Sequence, residues 1–294
     1  MTAVAATAFV VPWCKVDWFG EAGRGGASVA DMLWIDHFGN GAVVACFSGR
    51  DGGVSRSPYA SKNLGLHVDD DALSVLENRR RVARRLGMAV NRITYAEQVH
   101  GAGVTVVGRR EIGRGARDIK DALPGVDAMV TRAKGVALAV LAADCAPILL
   151  ADADAGVVAA VHAGWRGAVQ GVALSALHSM MEQGARAERV QVVIGPAIRG
   201  CCYEVDAPVV QAVQRAVERF SPTCAAPFAP RLSGESGRSM LDIPALCRDQ
   251  LASAGVEARK IVDVGICTKC MPGYFSHRRD KGSTGRHGGF IGLA

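Results

Sequence analysis

Apolar residues are densest between residues 127 and 163. DAMVT, GVALAVLAA, APILLADA and GVVAAVHA are apolar at consecutive positions and separated by short turns. Runs of roughly four to eight such residues predict strands buried on both faces, covered by helices or by a second sheet. AVVACFSG (42–49) and RVQVVIGP read the same way, ITYAEQV and VTVVG as shorter strands, and RKIVDVG as the last strand of the chain. Helical spacing takes over elsewhere. Residues 72–88 predict a helix, acidic before its start and basic at its end, with Gly87 following. WRGAVQGVALSALHSMMEQG (165–184) predicts one helix, and DAPVVQAVQRAVERF (206–220) an amphipathic helix ended by Ser-Pro. IPALCRDQLASAG predicts a fourth helix, with Gly255 at its C-terminal end. Residues 1–41 read as an N-terminal arm, with a flexible loop at 20–28. The stretch 48–71 is polar and glycine-bearing, 222–238 is a loop, and the last thirty residues are polar and glycine-rich. The pattern is that of one catalytic domain over 42–294.

Composition narrows this picture. The 294 residues are 49% hydrophobic and 21% charged, enough to bury a large core. Aromatic residues make up only 5% and glycines number 35, which points to closely packed layers. The formal net charge of +6 is mild, and the basic residues cluster at 79–85 and 278–286. The first cluster lacks the interleaved aromatics of a nucleic-acid groove and reads as a helix face. Asp144, Asp152 and Asp154 break the longest apolar stretch, so no membrane-spanning helix of about 20 residues is expected. The nine cysteines follow a start without a basic n-region, which implies a cytoplasmic protein with reduced thiols.

Chemistry gathers at strand ends. EQVHG (97–101), AADCAP (142–147) and VHAGWRG (161–167) place His100, Cys145 and His162 at or near the ends of predicted strands. Two imidazoles and a thiolate can hold zinc with one position open. Alternatively, Cys145 is a nucleophile, with His100 or His162 as its base and Asp144 as the orienting carboxylate. The two readings compete for one sulfur. SHRRDKGSTGR (276–286) has the composition of an anion-binding loop: Arg278, Arg279 and Arg286 offer paired donors, and Ser276, Thr284 and Gly285 shape it. Glu97, Glu204 and Asp280 are acid/base candidates. Cys201–Cys202 is no zinc motif, and Cys267 with Cys270 forms a CxxC without a second pair at standard spacing. Structural thiols are the reading there, with redox and metal roles as alternatives. No GxGxxG or GxxxxGK[ST] loop is present.

EQVHG, AADCAPILL, VAAVHAGWRG, VVIGPAIRGCCYEV and CTKCMPGYFSHRRDKGSTGR together resemble the multicopper polyphenol oxidoreductase, or laccase-domain, family, now regarded as purine nucleoside phosphorylase-like. The resemblance covers roughly 42–290. It implies an α+β fold, a layered α/β/β/α sandwich with mixed sheets, akin to cysteine hydrolases. It implies zinc on His100, Cys145 and His162, with copper as the alternative ion. It implies phosphorolysis of adenosine, inosine and methylthioadenosine, and a deaminase activity on adenosine. Purine nucleosides and inorganic phosphate are then the ligands of a monomer or homodimer that binds neither nucleic acid nor membrane. Asp144 and Arg166 become candidate catalytic residues. Ser48, Asn63, Arg278, Arg279, Thr284 and Arg286 become candidate substrate contacts, with His67 as polar support. His277 stands where tyrosine is frequent in the family. A Cys145 hydrolase, a copper-dependent phenol oxidase and a non-enzymatic zinc-containing interaction protein are the other readings.

Overall fold

The computed structural model describes residues 31–39, 41–221, 231–232 and 238–294. The expected arm lies outside the described residues up to residue 30, and so does most of the expected loop at 222–238. Along the chain, β1 (Met32–Trp34) and β2 (Val43–Ser48) precede α1 (Ala72–Arg85). Then come β3 (Ile93–Tyr95), β4 (Val104–Val106), β5 (Ala128–Thr131), β6 (Val136–Ala142), β7 (Ala146–Asp152) and β8 (Val157–Ala163). Two helices follow, α2 (Trp165–Gln170) and α3 (Val172–Glu182), then β9 (Gln191–Ile194), β10 (Glu204–Val205) and α4 (Ala207–Phe220). The chain continues through β11 (Arg231–Leu232), β12 (Ser239–Met240), α5 (Ile243–Ser253) and β13 (Ile261–Asp263) to β14 (His287–Leu293).

Two mixed sheets carry the fold. The first has the order β1-β2-β14-β6-β3, the second β13-β9-β7-β8-β5-β4, and β10-β12-β11 form a small third sheet. Every residue of β6, β7 and β8 is buried, and the pleat explains why. Along β8, Val157, Ala159 and Val161 face the layer of α2, α3, α4 and α5, while Val158 and Ala160 face the other sheet. Along β6, Leu138 and Val140 face the space between the sheets, and Ala137, Ala139 and Leu141 face α1. The layers are therefore α1, first sheet, second sheet and the remaining helices. This is the expected layered α/β/β/α arrangement with mixed sheets.

Three local features depart from the sequence pattern. The predicted helix over 165–184 is broken at Gly171, whose φ of 80° ends α2 and starts α3. Strand β1 lies within the segment read as an arm and pairs antiparallel with β2. The last strand is β14, not RKIVDVG, and it fills the gap between β2 and β6. Its glycines conceal it. A Cβ on Gly292 would lie 2.3 Å from the Val136 carbonyl oxygen, and one on Gly288 would lie 2.6 Å from the Phe290 ring. The strand needs glycine for close approach, and that same composition reads as a loop. No described helix is long and apolar enough to cross a membrane.

Candidate active site

Three strand ends build the centre. β7 and β8 are antiparallel neighbours with Ala146 opposite Ala163 and Pro147 opposite His162. Cys145, just before β7, therefore meets His162 near the end of β8, although they are 17 positions apart in sequence. His100 comes from the turn after β3. Its φ of 62° is the left-handed conformation, and its backbone N–H donates to Asp127 Oδ1 at 2.9 Å. The ligand atoms of His100, Cys145 and His162 all lie within 4.8 Å of one another. Zinc bonds of about 2.0–2.3 Å place tetrahedral ligand atoms roughly 3.3–3.8 Å apart, so a small contraction seats an ion. Gly164 leaves room for this: a Cβ there would lie 2.8 Å from the His100 ring and 3.1 Å from the Cys145 sulfur.

Asp127, which sequence reasoning missed, organises the group. It is fully buried just before β5, and its Oδ1 accepts from His162 Nδ1 at 2.8 Å. Its Oδ2 accepts the N–H groups of Gly101 at 2.7 Å and Val99 at 3.2 Å. Burial opposes its charge, but the His162 bond and these N–H groups hold the carboxyl below its ordinary range. His162 thus donates Nδ1–H to Asp127 and directs Nε2 toward Cys145. Burial pushes the Cys145 thiol up, yet the charge of His162 and bonds from both imidazoles outweigh it and bring the pKa down to about 6. Burial likewise disfavours charge on His162, but the Cys145 charge and the Asp127 bond lift its pKa to about 9. Without metal, Cys145 and His162 form a thiolate beside an imidazolium. A metal ion held by His100, Cys145 and His162 would take the place of that proton.

Asp144 adjoins this group with a φ of 94°. Both its carboxylate oxygens are engaged: Thr268 Oγ1 donates at 2.6 Å and the Arg278 backbone N–H at 2.7 Å. Asp144 thus fixes the loop 276–286 over the centre. The arginines of that region divide by environment. Arg286 is partly buried, feels the charges of Cys145 and Asp144, and donates to the carbonyls of Thr284 and Gly285 at 2.8 and 3.0 Å. Arg278 stacks 5.0 Å from the Tyr203 ring centre and Arg166 4.5 Å from the Trp165 ring centre, both with exposed side chains. Arg279 is bound into the loop, donating to the carbonyls of Thr268 at 2.7 Å and Tyr274 at 2.8 Å and to Asp280 at 2.9 Å. Thr284 is buried, and its hydroxyl donates to Asp280 at 2.7 Å. Ser48 is buried and accepts from Gly288 N–H at 2.9 Å. Asn63 is buried, accepts from Arg286 N–H at 2.8 Å and donates to Asp70 at 2.9 Å. Ser48, Asn63, Arg279 and Thr284 thus have protein partners that brace the loops.

Tyr203 is a second residue the sequence did not single out. Burial and the nearby Cys145 charge push its pKa up to about 12, so it stays a protonated donor; Arg278 and Arg166 act in the opposite sense. Desolvation and the charges of Arg286 and Arg79, together with His162 and His100, bring the pKa of His67 down to about 4. Among the acid/base candidates, Glu204 pairs with Arg238 at 2.9 Å, Asp280 serves the loop, and Glu97 is exposed. Among the described residues, one further group has metal-ligand chemistry: Cys201, Cys202, Cys267 and Cys270.

The architecture is that of a layered α/β protein with a metal-competent Cys/His centre where the two sheets end. The family model described as multi-copper polyphenol oxidoreductase laccase matches residues 44–294, and the chain belongs to this family. A relative named purine nucleoside phosphorylase YlmD, from Geobacillus stearothermophilus, is 42% identical over 253 residues, covering 85% of this chain and 90% of the relative. A purine nucleoside phosphorylase of Corynebacterium glutamicum is 41% identical over 254 residues, covering 86% and 96%. The crystal structure of Geobacillus stearothermophilus YlmD superimposes with a TM-score of 0.82 at 39% identity, covering 89% of this chain and 96% of that one. The Bacillus licheniformis protein YfiH gives a TM-score of 0.80 at 33% identity, covering 86% and 93%. The fold is that of these proteins, and the likeness supports an enzyme.

Proposed function

We propose that the chain is a zinc-dependent purine nucleoside phosphorylase. It converts adenosine, inosine and methylthioadenosine, with phosphate, into free base and ribose or methylthioribose 1-phosphate, and it deaminates adenosine as a side activity. The observation that carries the reading is the juxtaposition of His100, Cys145 and His162 in a chain 42% identical to a protein named as such a phosphorylase. The donor set suits zinc, which supplies Lewis acidity there. His162, set by Asp127, and His100, held by its backbone on the same carboxylate, present the two nitrogens.

Arg286, which feels the Cys145 and Asp144 charges, and Arg278 and Arg166, which act on Tyr203, are the groups that take the phosphate in this reading. As the C1′–N9 bond breaks, its electron pair leaves with the purine, a phosphate oxygen bonds C1′, and the purine takes up the proton that hydrogen phosphate gives up overall. Negative charge passes from the attacking phosphate to the departing base while the ribosyl carbon carries positive character, so the guanidinium donors serve to bind and orient the phosphate for attack. Tyr203, protonated at neutral pH, stands near Cys145 and can donate to substrate. Asp144 positions the arginine-bearing loop.

A second reading has one specific observation behind it: the low thiol pKa of Cys145 beside a His162 that leans on Asp127 is also the arrangement of a cysteine hydrolase. Chromatography of products from zinc-loaded protein decides. Phosphate-dependent release of purine and pentose 1-phosphate, lost in Cys145→Ala and reduced at least about tenfold in Arg286→Ala, is expected. Inosine formed from adenosine without phosphate is the expected side activity. No turnover by folded, zinc-loaded protein, with covalent capture of an acyl probe at Cys145, overturns the assignment in favour of the hydrolase.

A further inference from the structure

The four remaining clustered cysteines come from two turns that the second sheet places side by side. β9 and β13 are parallel neighbours, so the chain leaves both at the same end of the sheet. Past that end, Ala197 bridges to Cys267: Ala197 N–H donates to Ile266 O at 3.1 Å, and Thr268 N–H donates to Ala197 O at 3.1 Å. Arg199 clamps the junction, reaching Asp242 at 3.0 Å and Asp263 at 2.7 Å. Adjacent cysteines diverge in a strand, but Cys201 and Cys202 lie in a tight turn, with Cys202 N–H and Tyr203 N–H both donating to Arg199 O. Both sulfurs consequently face Cys270, Cys202 at 3.4 Å and Cys201 at 3.9 Å, and the four sulfurs all lie within 4.8 Å of one another.

That spacing matches a tetrahedral ion. Zinc–sulfur bonds of about 2.3 Å set sulfurs roughly 3.8 Å apart, far from the about 2.05 Å of a disulfide. The outer environment fits as well. Backbone N–H groups of Cys270, Arg199 and Lys269 donate to the Cys267 sulfur, as amides do around metal-bound thiolates. We propose that Cys201, Cys202, Cys267 and Cys270 form a closed tetrathiolate zinc site, separate from the His100–Cys145–His162 centre. Four S–H bonds break as four Zn–S bonds form. The protons pass to solvent and no electron is transferred. A complete sulfur shell leaves no open position, so the ion ties chain segments together instead of reacting.

Its placement gives the ion a task. Tyr203 follows Cys202 directly, and Thr268 follows Cys267. Thr268 donates to Asp144, and its carbonyl accepts from Arg279. One ion thus anchors two side chains that reach the catalytic centre, together with the root of the arginine loop.

Zinc content and zinc-edge X-ray absorption of reduced, zinc-replete full-length protein test this without reference to activity. Wild-type protein is expected to hold about two zinc ions per chain, with an average shell near five sulfurs to two nitrogens. A His162→Ala/Cys145→Ala variant is expected to keep about one ion in an all-sulfur shell, and Cys270→Ser to keep about one in a nitrogen-rich shell. A single wild-type zinc with one sulfur and two nitrogens overturns the site, a result that needs no variant to fold. So does iron in the sulfur shell, or a Cys202–Cys270 disulfide found by peptide mapping of native protein. Failure of the phosphorylase assay leaves these readouts unchanged, so the two proposals fail separately.

Discussion

Asp127 carries more of the centre than its place in the sequence announces. One carboxylate receives His162 Nδ1 and the backbone N–H groups of Val99, His100 and Gly101, so it sets one imidazole and the turn that presents the other. An amide in its place keeps one acceptor oxygen where two are used. Asp127→Asn is expected to weaken zinc binding at this centre roughly 10–100-fold with the fold intact. Chelator competition checks this on protein whose circular dichroism matches wild type, and unchanged affinity removes the orienting role. His100, Cys145 and His162 stood out because each lies at or near a predicted strand end and within a motif of the resemblance, and the fold brings the three together. Asp127 did not, because it is one polar residue at the head of DAMVT, and its partners lie 26 to 35 positions away and meet it only after the sheet forms. Arg279 shows what composition leaves out. Its composition announces an anion ligand, yet carbonyls and Asp280 occupy its guanidinium. Sequence reports a donor and cannot report that the donor is already engaged.

Single elements were legible wherever burial dictates the pattern, and obscured wherever glycine serves two ends. The runs of β6, β7 and β8 are apolar throughout because each strand has a layer on both faces. Gly171 and the glycines of β14 misled in opposite directions: one breaks a helix that periodicity would continue, the others permit a strand that composition would deny. The polar end of β7 has its own logic. Asp152 is buried, and it accepts from Arg186 N–H at 2.9 Å, Ala155 N–H at 3.1 Å and Arg189 Nε at 3.0 Å, tying the strand to the turn after α3. Burial opposes its charge, but the two backbone N–H groups and then Arg189 overcome that and depress its pKa. A depressed carboxyl stabilises the fold above its unfolded pKa, and that contribution disappears as pH falls through the lower folded value. Asp152→Ala is expected to cost about 1–3 kcal/mol at neutral pH by leaving buried donors unmatched. In urea titrations the gap to wild type is expected to shrink below the ordinary carboxylate range. A gap that stays constant on acidification rejects the electrostatic account.

The spacing of the two sheets is set at a few points where a ring meets bare backbone. Phe47 of β2 is fully buried in the layer between them. A Cβ on Gly195, just after β9, would lie 2.3 Å from its ring, and one on Gly289 of β14 would lie 3.1 Å from it. Strand order, and hence these contacts, could not be read from the chain: β14 comes last in sequence and sits at the centre of the first sheet. Pairing of such distant segments is decided by which faces and edges fit together, a property no local window contains. Gly195→Ala must therefore displace either the ring or a sheet. Phe47 is enclosed on both sides, so the expected cost is about 1–3 kcal/mol of unfolding free energy. The double variant Gly195→Ala/Phe47→Leu discriminates between causes. If overpacking is the cause, the smaller side chain relieves it, and the double variant is more stable than the sum of the two single losses predicts. Strict additivity in urea unfolding means that Gly195 is needed for its backbone alone and that the sheets are spaced by other contacts. The same junction bears on the site, because Gly195 N–H donates to Pro147 O and Ile198 N–H to Asp144 O, on either side of Cys145. A displaced sheet would disturb the spacing of His100, Cys145 and His162.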